Sequence, residues 1–350
     1  MDRVLRVLVI DDSAYVRKVV KQMLLRSPFI EVVGAARDGR EALELVEQLQ
    51  PDVITCDLIM PELDGVGFVR EQMRRRPVPI IIMSIASETG DAALTALDAG
   101  AVDFIQKPTA LATEKIFEVS SELIEKVKAA ASIPLTRIQS SPARTETTPA
   151  TARAEAVAGS QAVDVVVLGI STGGPQALKQ LIPQLPADFP VPVAIVMHMP
   201  IGYTEMYARK LNEYSPLDVR EAHEGDELRA GVALLAPAGR HLSFQRKADG
   251  RVVAHLDARP FDTLHRPSVD VMFQSAAEIY RQRVLGVVMT GMGSDGKQGA
   301  AWVKSQGGLV YTESEETCVV YGMPFTVVEA GLSDRSVPLY GMAQAIREVV

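Results

Sequence analysis

The sequence predicts two α/β domains, each built around a mainly parallel β-sheet. Its 350 residues exceed one ordinary domain, because domains usually hold about 100 to 200 residues. Hydrophobic residues make up 47% of the chain and charged residues 23%, which is enough apolar material for two cores. Short apolar runs alternate with helical patterns in both halves, and this alternation is typical of parallel sheets covered by helices.

The first half contains five apolar runs, each followed by a helical pattern. The runs are LRVLVI, EVVGAA, DVITC, PIIIMS and DFIQ, and the helical patterns include YVRKVVKQMLL, REALELVEQL and EKIFEVSSELIEKV. Strands that are apolar along nearly their whole length indicate a parallel sheet buried on both faces. We therefore predict a first domain over residues 1–130.

The composition changes at about residue 131. Residues 131–161 are rich in Ser, Thr, Pro and Ala and predict a flexible linker, because so few large apolar side chains cannot offset the entropy of ordering. A second alternation follows, with the strand-like runs VDVVVLG, VPVAIVMHM, GVALLAP, RVLGVVMT and GLVYT. It predicts a second, mainly parallel, doubly wound α/β domain over residues 162–350.

Charge and cysteine content restrict the environment and the partners. The formal net charge is -8 at pH 7, so an anionic membrane or a nucleic-acid backbone would repel the protein on average. Its only cysteines, Cys56 and Cys318, lie in or beside apolar stretches and suit a reducing compartment. No apolar run approaches the ~20 residues that span a bilayer. We expect a cytoplasmic monomer that neither enters the membrane nor binds nucleic acid.

Carboxylates follow two of the first-half strands. Asp11 and Asp12 come after LRVLVI and Asp57 comes after DVITC, while Ser84 follows PIIIM and Lys107 follows DFIQ. Ligands of open α/β sheets bind at the carboxyl ends of the strands, where these side chains would converge. Clustered carboxylates suit Mg²⁺, and a carboxylate can accept a phosphoryl group whose oxygens a lysine and a hydroxyl contact. Any one of these aspartates alone would be interpreted as a turn former.

The segments VIDDS, CDLIMPELDG, MSIAS and FIQKP resemble those of response-regulator receiver domains over roughly residues 4–128. The resemblance implies a flavodoxin-like (βα)5 fold, a histidine kinase as phosphodonor and Asp57 as phosphoacceptor. It implies Mg²⁺ bound by Asp12, Asp57 and the Ile59 carbonyl, with Asp11 acting mainly through water. It also implies that Ser84 and Lys107 sense the phosphoryl group and that Phe104 is the aromatic switch residue.

Two glycine turns in the second half allow different chemistries. GISTGG, residues 169–174, follows an apolar strand and precedes a helix, so its backbone N–H groups could bind a phosphate or an oxyanion. GMGSDG, residues 291–296, fits the pattern G-x-G-x-x-G, and Glu313 follows at the spacing of a ribose-binding acid. A dinucleotide-binding domain is therefore the alternative, although Asp295 would repel pyrophosphate in that turn.

Ser171, His198 and Asp295 each follow a different predicted strand of the second half. They could meet at one edge of the sheet as a nucleophile, a base and an orienting carboxylate. Taken singly, the serine and the aspartate are typical helix caps and the histidine is typical of a partly buried core residue.

The combination gains weight from the segments GISTGGP, HMPIGYTEMYARKLN, HRPSVDVMF, TGMGSDG and CVVYGMPFTVVEAG. They resemble the CheB family of chemotaxis methylesterases from about Val163 onward. The resemblance implies that Ser171, His198 and Asp295 hydrolyse glutamate methyl esters, and deamidate glutamines, on methyl-accepting chemotaxis receptors without a cofactor in this domain. It implies an oxyanion site near Thr172 and Met292. His265, Arg266, Ser268 and Asp270 become candidate substrate-loop residues, the alternative being an exposed loop followed by a helix cap.

Two domains on a tether suggest regulation. We expect the first domain to inhibit the esterase until Asp57 is phosphorylated. An esterase that serves a pathway other than chemotaxis remains the alternative.

Overall fold

The computed structural model describes residues 3–107, 113–133 and 163–350. The described part of residues 3–133, here called the N-terminal half, forms a five-stranded sheet in the order β2-β1-β3-β4-β5, and all neighbouring strands are parallel. Its elements are β1 (Leu5–Ile10), α1 (Ala14–Leu24), β2 (Ile30–Ala36), α2 (Gly39–Leu49), β3 (Val53–Asp57), α3 (Gly65–Arg75), β4 (Ile80–Ser84), α4 (Ala86–Asp98), β5 (Asp103–Gln106) and α5 (Thr113–Ala131).

Local sequence explains these elements. Every residue of β3 and β4 is buried, as the unbroken apolar runs predict for strands covered on both faces. Three of the helices begin at a side chain that accepts backbone N–H bonds at the first turn, namely Ser13, Asp38 and Asp64.

Residues 163–350, the C-terminal half, contain a seven-stranded sheet in the order β14-β13-β12-β6-β7-β9-β8 with all pairs parallel. Its strands are β6 (Val165–Ile170), β7 (Val193–Met197), β8 (Asp218–Glu221), β9 (Val232–Leu235), β12 (Val284–Val288), β13 (Leu309–Glu313) and β14 (Arg335–Val337). A separate antiparallel hairpin joins β10 (His241–Arg246) and β11 (Val252–Asp257). The helices are α6 (Gly174–Leu181), α7 (Thr204–Tyr214), α8 (Val269–Tyr280), α9 (Lys297–Ser305), α10 (Met323–Glu329) and α11 (Leu339–Arg347), with 3-10 turns at Ile182–Gln184 and Arg281–Arg283.

The predicted fold class is therefore confirmed for both halves. In each sheet the first strand in sequence is an inner strand, and later strands are added on both of its sides. The loops at its carboxyl end therefore run in opposite directions and leave a crevice. In the N-terminal sheet this point lies between β1 and β3, and in the C-terminal sheet between β6 and β12. Most of the predicted linker, from residue 134 to residue 161, lies outside the described residues, and the domain boundaries stay predictions.

The two halves pack against each other, and one buried hydrophobic cluster contains residues from both. Phe104 of β5 contacts Tyr203, which directly precedes α7, with ring centroids 4.6 Å apart. Asp98 at the end of α4 pairs with Lys179 and Lys210, each at 2.8 Å. Among the described residues, no helix is both long and apolar enough to cross a membrane.

Candidate functional sites

Ser171 follows β6 at the crevice of the C-terminal sheet. Its backbone N–H donates to the Thr290 carbonyl at 3.0 Å, which ties it to the loop after β12. That loop approaches very closely, because a Cβ added to Gly291 would lie 2.8 Å from the Ser171 Cβ and 2.4 Å from the Met323 sulfur. Only glycine leaves room for this approach. The turn that carries Ser171 continues through Gly173 into α6, and the Gly173 φ of 82° also favours glycine.

His198 is brought beside Ser171 by strand register. Ile170 of β6 pairs with Met197 of β7, so Ser171 and His198 are the next positions along two adjacent parallel strands. The His198 backbone N–H donates to the Ile170 carbonyl at 3.2 Å, so the pairing extends past the strand ends. The nucleophile and the base predicted from sequence therefore lie at one edge of the sheet.

The imidazole is held by Asp295. Nε2 of His198 lies 2.8 Å from Oδ2 of Asp295, and both side chains are about nine-tenths buried. Since a carboxylate accepts hydrogen bonds, Nε2 carries the proton and Nδ1 is left as an acceptor. Nδ1 is buried without a hydrogen-bond partner within the described chain. It is the ring nitrogen that Asp295 does not hold.

Asp295 lies in the turn before α9, and its carboxylate meets the first residues of α8. Its carboxylate accepts hydrogen bonds from the Ser268 hydroxyl and from the backbone N–H groups of Val269 and Asp270, at 2.8 to 2.9 Å. Burial alone would raise the pKa of Asp295, but the hydrogen bond and charge of His198, together with those backbone donors, lower it. The carboxylate therefore stays ionised while it orients the imidazole.

The loop before α8 covers the imidazole. His265 stacks on His198 with centroids 4.0 Å apart and planes 24° from parallel. Burial and the charge of His198 lower the pKa of His265 to about 4, so its ring is neutral at physiological pH. Arg266 lies over the Phe261 ring at 5.2 Å. Ser268 is buried, is the N-cap of α8 and donates to Asp295, as the helix-cap interpretation predicts. Its role toward substrate stays a prediction.

Thr172 and Met292, the predicted oxyanion residues, lie at the interface with the N-terminal half. The Thr172 hydroxyl donates to Oδ2 of Asp103 at 2.7 Å, and Met292 packs against the apolar cluster that contains Leu123 of α5. Within the ranges that the structure describes, the backbone N–H groups of Thr172 and Met292 donate no hydrogen bond. They are therefore free to meet an oxyanion.

The GMGSDG turn does not have the form of a pyrophosphate site. The acid within it, Asp295, is engaged by His198 and the beginning of α8. Glu313, the candidate ribose ligand, is fully buried and accepts hydrogen bonds from the Thr290 N–H and the Thr317 hydroxyl at 2.9 and 3.0 Å. The two acids considered for the dinucleotide alternative thus accept hydrogen bonds from other residues of the protein.

The N-terminal sheet carries the predicted acidic site. One oxygen from each of Asp11, Asp12 and Asp57 lies within 4.8 Å of the others, which suits a hard divalent cation. Lys107 Nζ bridges Asp11 and Asp57 at 2.8 and 2.7 Å. Burial opposes its charge, but the two carboxylates raise the pKa of Lys107 overall.

The remaining predicted residues of that half surround this site. Ser84 is buried and follows the β4 residue that pairs with Asp57, and its carbonyl accepts from the Lys107 N–H at 2.9 Å. The Ile59 side chain is 56% exposed, just beyond β3. Phe104 is buried and packs against Tyr203 of the other half. Sequence reasoning missed the contact between Asp103 and Thr172, because neither residue carries a local signal for it.

Comparisons with known proteins agree with both sites. Residues 166–346 match the family model described as CheB methylesterase, and residues 7–118 match the response regulator receiver domain. A protein-glutamate methylesterase/protein-glutamine glutaminase of Myxococcus xanthus is 48% identical over 99% of this chain and 98% of its own length. A protein of the same description from Thermotoga maritima is 41% identical over 100% of this chain and 99% of its own. The crystal structure of the Thermotoga maritima CheB methylesterase catalytic domain is 42% identical and covers 54% of this chain and all of that one, with a TM-score of 0.53.

Proposed function

Because this chain belongs to the CheB methylesterase family and carries a receiver domain, we propose that it hydrolyses glutamate methyl esters on methyl-accepting chemotaxis receptors and deamidates receptor glutamines. The observation that carries the proposal is the His198 imidazole, with one nitrogen held by Asp295 and the other buried and unpartnered within the described chain. His198 and Ser171 are the next positions along two adjacent parallel strands, so this second nitrogen is the candidate general base.

In the proposed reaction Ser171 is the nucleophile. Its Oγ bonds to the ester carbonyl carbon while its proton passes to Nδ1 of His198. The tetrahedral intermediate then expels methoxide, which takes that proton from His198 and leaves as methanol. Water, deprotonated by the same nitrogen, attacks the acyl carbon. The bond to Ser171 Oγ then breaks, Oγ takes the proton back from His198, and a glutamate carboxylate is left on the receptor. With a glutamine substrate the leaving group is ammonia, and the later steps are the same.

The developing oxyanion would accept hydrogen bonds from the backbone N–H groups of Thr172 and Met292. Asp295 is held by three donors besides His198, so it supports the imidazolium without reorganising. His265, neutral and stacked on the ring, excludes water from one face.

In the receiver domain, we propose Asp57 as the residue that a histidine kinase phosphorylates. Asp11, Asp12 and Asp57 would hold Mg²⁺ with the Ile59 carbonyl, and the ion when bound would neutralise the phosphoryl oxygens. Lys107 now pairs with Asp57 and would transfer its hydrogen bond to the phosphoryl group, which Ser84 would also contact.

Inhibition by the receiver is supported by its position. Adjacent residues of β5 contact both active-site loops, since Asp103 binds Thr172 beside the nucleophile and Phe104 packs on Tyr203 in the loop after His198. Met292 and Val319 of the loops after β12 and β13 pack against the receiver's own apolar cluster. We propose that these contacts keep a receptor segment away from Ser171 and that phosphorylation releases them.

The test is methanol release from methylated receptor membranes, with and without Mg²⁺ and a small phosphodonor. The wild type is expected to release methanol faster with the phosphodonor, whereas Ser171→Ala releases none above background. Methanol release by Ser171→Ala would refute the proposed nucleophile. Hydrolysis of a simple ester without any action on receptors would favour another pathway.

A further inference from the structure

Two helices at the proposed active site cap each other through a pair of aspartates. Asp295, in the turn before α9, accepts from the first N–H groups of α8, those of Val269 and Asp270. Asp270, in the first turn of α8, in turn accepts from the N–H groups of Gly296 and Gly299 at the beginning of α9, at 2.9 and 2.6 Å. Each helix therefore begins at a carboxylate that the other helix supplies.

Ser268 completes this arrangement. Its hydroxyl donates to Oδ1 of Asp295 at 2.9 Å and accepts from the Val271 N–H at the N-cap of α8. Its own N–H donates to Nδ1 of the buried His241 at 3.1 Å, which fixes the hydroxyl over the carboxylate. The hydroxyl and N–H of Ser268 thus connect Asp295 with the first turn of α8 and with His241.

Placing two carboxylates so close together costs free energy. Burial, together with the charge of Asp295, raises the pKa of Asp270, although the Gly299 and Gly296 N–H groups oppose the rise. An apolar side chain would avoid that cost if Asp270 served only to pack α8. The Gly299 position also leaves no room for adjustment, since a Cβ there would lie 2.6 Å from the Phe273 Cβ and 3.0 Å from the Asp270 Cα.

We propose that Ser268 and Asp270 are positioning residues that fix the Asp295 carboxylate in the plane of the His198 imidazole, and that neither binds substrate. Asp270 fixes the turn that carries Asp295, and Ser268 fixes the carboxylate within that turn. The inference rests on the proposed role of Asp295 in ester hydrolysis. It reassigns both residues from substrate binding to the support of the catalytic pair.

The experiment measures kcat and KM on methylated receptor membranes with the full chain, Mg²⁺ and acetyl phosphate. Misplacing a catalytic group by about 1 Å can cost ~10²-fold in rate, so Ser268→Ala and Asp270→Ala are expected to lower kcat by roughly 10- to 100-fold. KM should stay within about twofold, because no substrate contact is lost. The conservative variants Ser268→Thr and Asp270→Asn keep the hydroxyl and the Oδ1 acceptor, so each should recover kcat to within about threefold of wild type.

A matched control is available on the same helix. Ser275 of α8 accepts from the Phe244 N–H at 2.8 Å, away from Asp295. Ser275→Ala should lower the melting temperature while leaving kcat within about twofold. Circular dichroism gives the folded fraction of each variant, and kcat is expressed per folded molecule. In NMR spectra of histidine-labelled protein, the His198 Nε2 proton should exchange faster in Ser268→Ala and Asp270→Ala than in Ser275→Ala.

The proposal is overturned if Ser268→Ala and Asp270→Ala keep kcat within about twofold, or if their loss lies in KM. It is also overturned if Asp270→Asn is as slow as Asp270→Ala, because the acceptor geometry would then be irrelevant. Failure of the proposed function looks different, since Ser171→Ala would then retain activity in the same assay.

Discussion

The receiver site and the esterase site lie at equivalent places in their sheets but are built from opposite electrostatics. Both occupy the crevice beside the first strand of a parallel sheet. In the receiver, three carboxylates converge and Lys107 alone bridges two of them, so the site gains from binding further positive charge. In the esterase, one carboxylate has four hydrogen-bond donors around it and needs nothing more.

The difference shows where each site can be controlled. A site with unbalanced charge changes when a cation or a phosphoryl group binds, so we expect the receiver to respond to Mg²⁺ and to phosphorylation. In the esterase the orienting carboxylate of Asp295 already has its four donors, so little can change there. We therefore expect control of the esterase to come from outside the site, through the contacts that β5 makes with the loops carrying Ser171 and His198.

The largest effect is expected when the charge of Asp295 is removed from the esterase site. Asp295→Asn should lower kcat by about 10³- to 10⁴-fold with the phosphodonor present, because an amide in that place favours the wrong imidazole tautomer. Methanol release per folded molecule is the measurement. Asp270→Asn, the same chemical change one carboxylate away, is the control and should stay within about threefold. Equal losses in the two variants would contradict a special role for Asp295.

The next largest effect is expected at the receiver site, where a substitution of Asp57 should remove stimulation by a phosphodonor. Asp57→Asn should abolish stimulation by acetyl phosphate, so that the ratio of stimulated to basal activity falls to about 1 while basal activity is unchanged. Chelation of Mg²⁺ should do the same to the wild type, because the ion must offset the carboxylate charge before a phosphoryl group can bind. Full stimulation of Asp57→Asn would show that the phosphoryl group acts elsewhere.

A smaller effect tests the link between the sites. Asp103→Ala removes the hydrogen bond from Thr172, and bonds to a charged group contribute about 1.5–3 kcal/mol. Since Asp103 also pairs with Lys126 inside the receiver, part of that free energy is not at the interface. We expect basal activity to rise by about 10-fold and stimulated activity to change little. Asp164→Ala, which removes a surface ion pair with Arg283 away from the interface, should leave both rates unchanged.

How much was predictable from sequence follows from the same comparison. The ends of parallel strands share one edge, so the positions of Ser171, His198 and Asp295, and of Asp11, Asp57 and Lys107, follow from local patterns alone. The roles of these residues stay predictions until they are tested by substitution. The β10–β11 hairpin, whose strands pair outside the main sheet, was not predicted, although Asp249 and Gly250 between two alternating runs are a hairpin signal.

The contacts between elements distant in sequence were not predictable. Ser268 and Asp270 were interpreted as substrate-loop residues because HRPSVD precedes a helix near the site, but which carboxylate meets that helix depends on how α8 packs on α9. The Asp103 to Thr172 bond depends in addition on how the two halves dock, and it joins residues 69 positions apart.

The smallest effect concerns the rim of the interface, at Asp98. Its ion pairs with Lys179 and Lys210 are partly exposed, and such pairs are worth about 0–1 kcal/mol each. Asp98→Ala should therefore raise basal activity only about two- to threefold over wild type. At about 1 M salt this ratio should fall toward 1, because the Debye length is then only about 3 Å.

Burial opposes ionisation of Asp98, but the two lysines lower its pKa overall. A lowered carboxyl pKa means that the pairs are complete above the ordinary pKa and are lost only as the pH falls through the lowered one. The ratio should consequently be flat between pH 6 and pH 9, and a ratio that depended on pH but not on salt would show that the rim is held by something other than these charges.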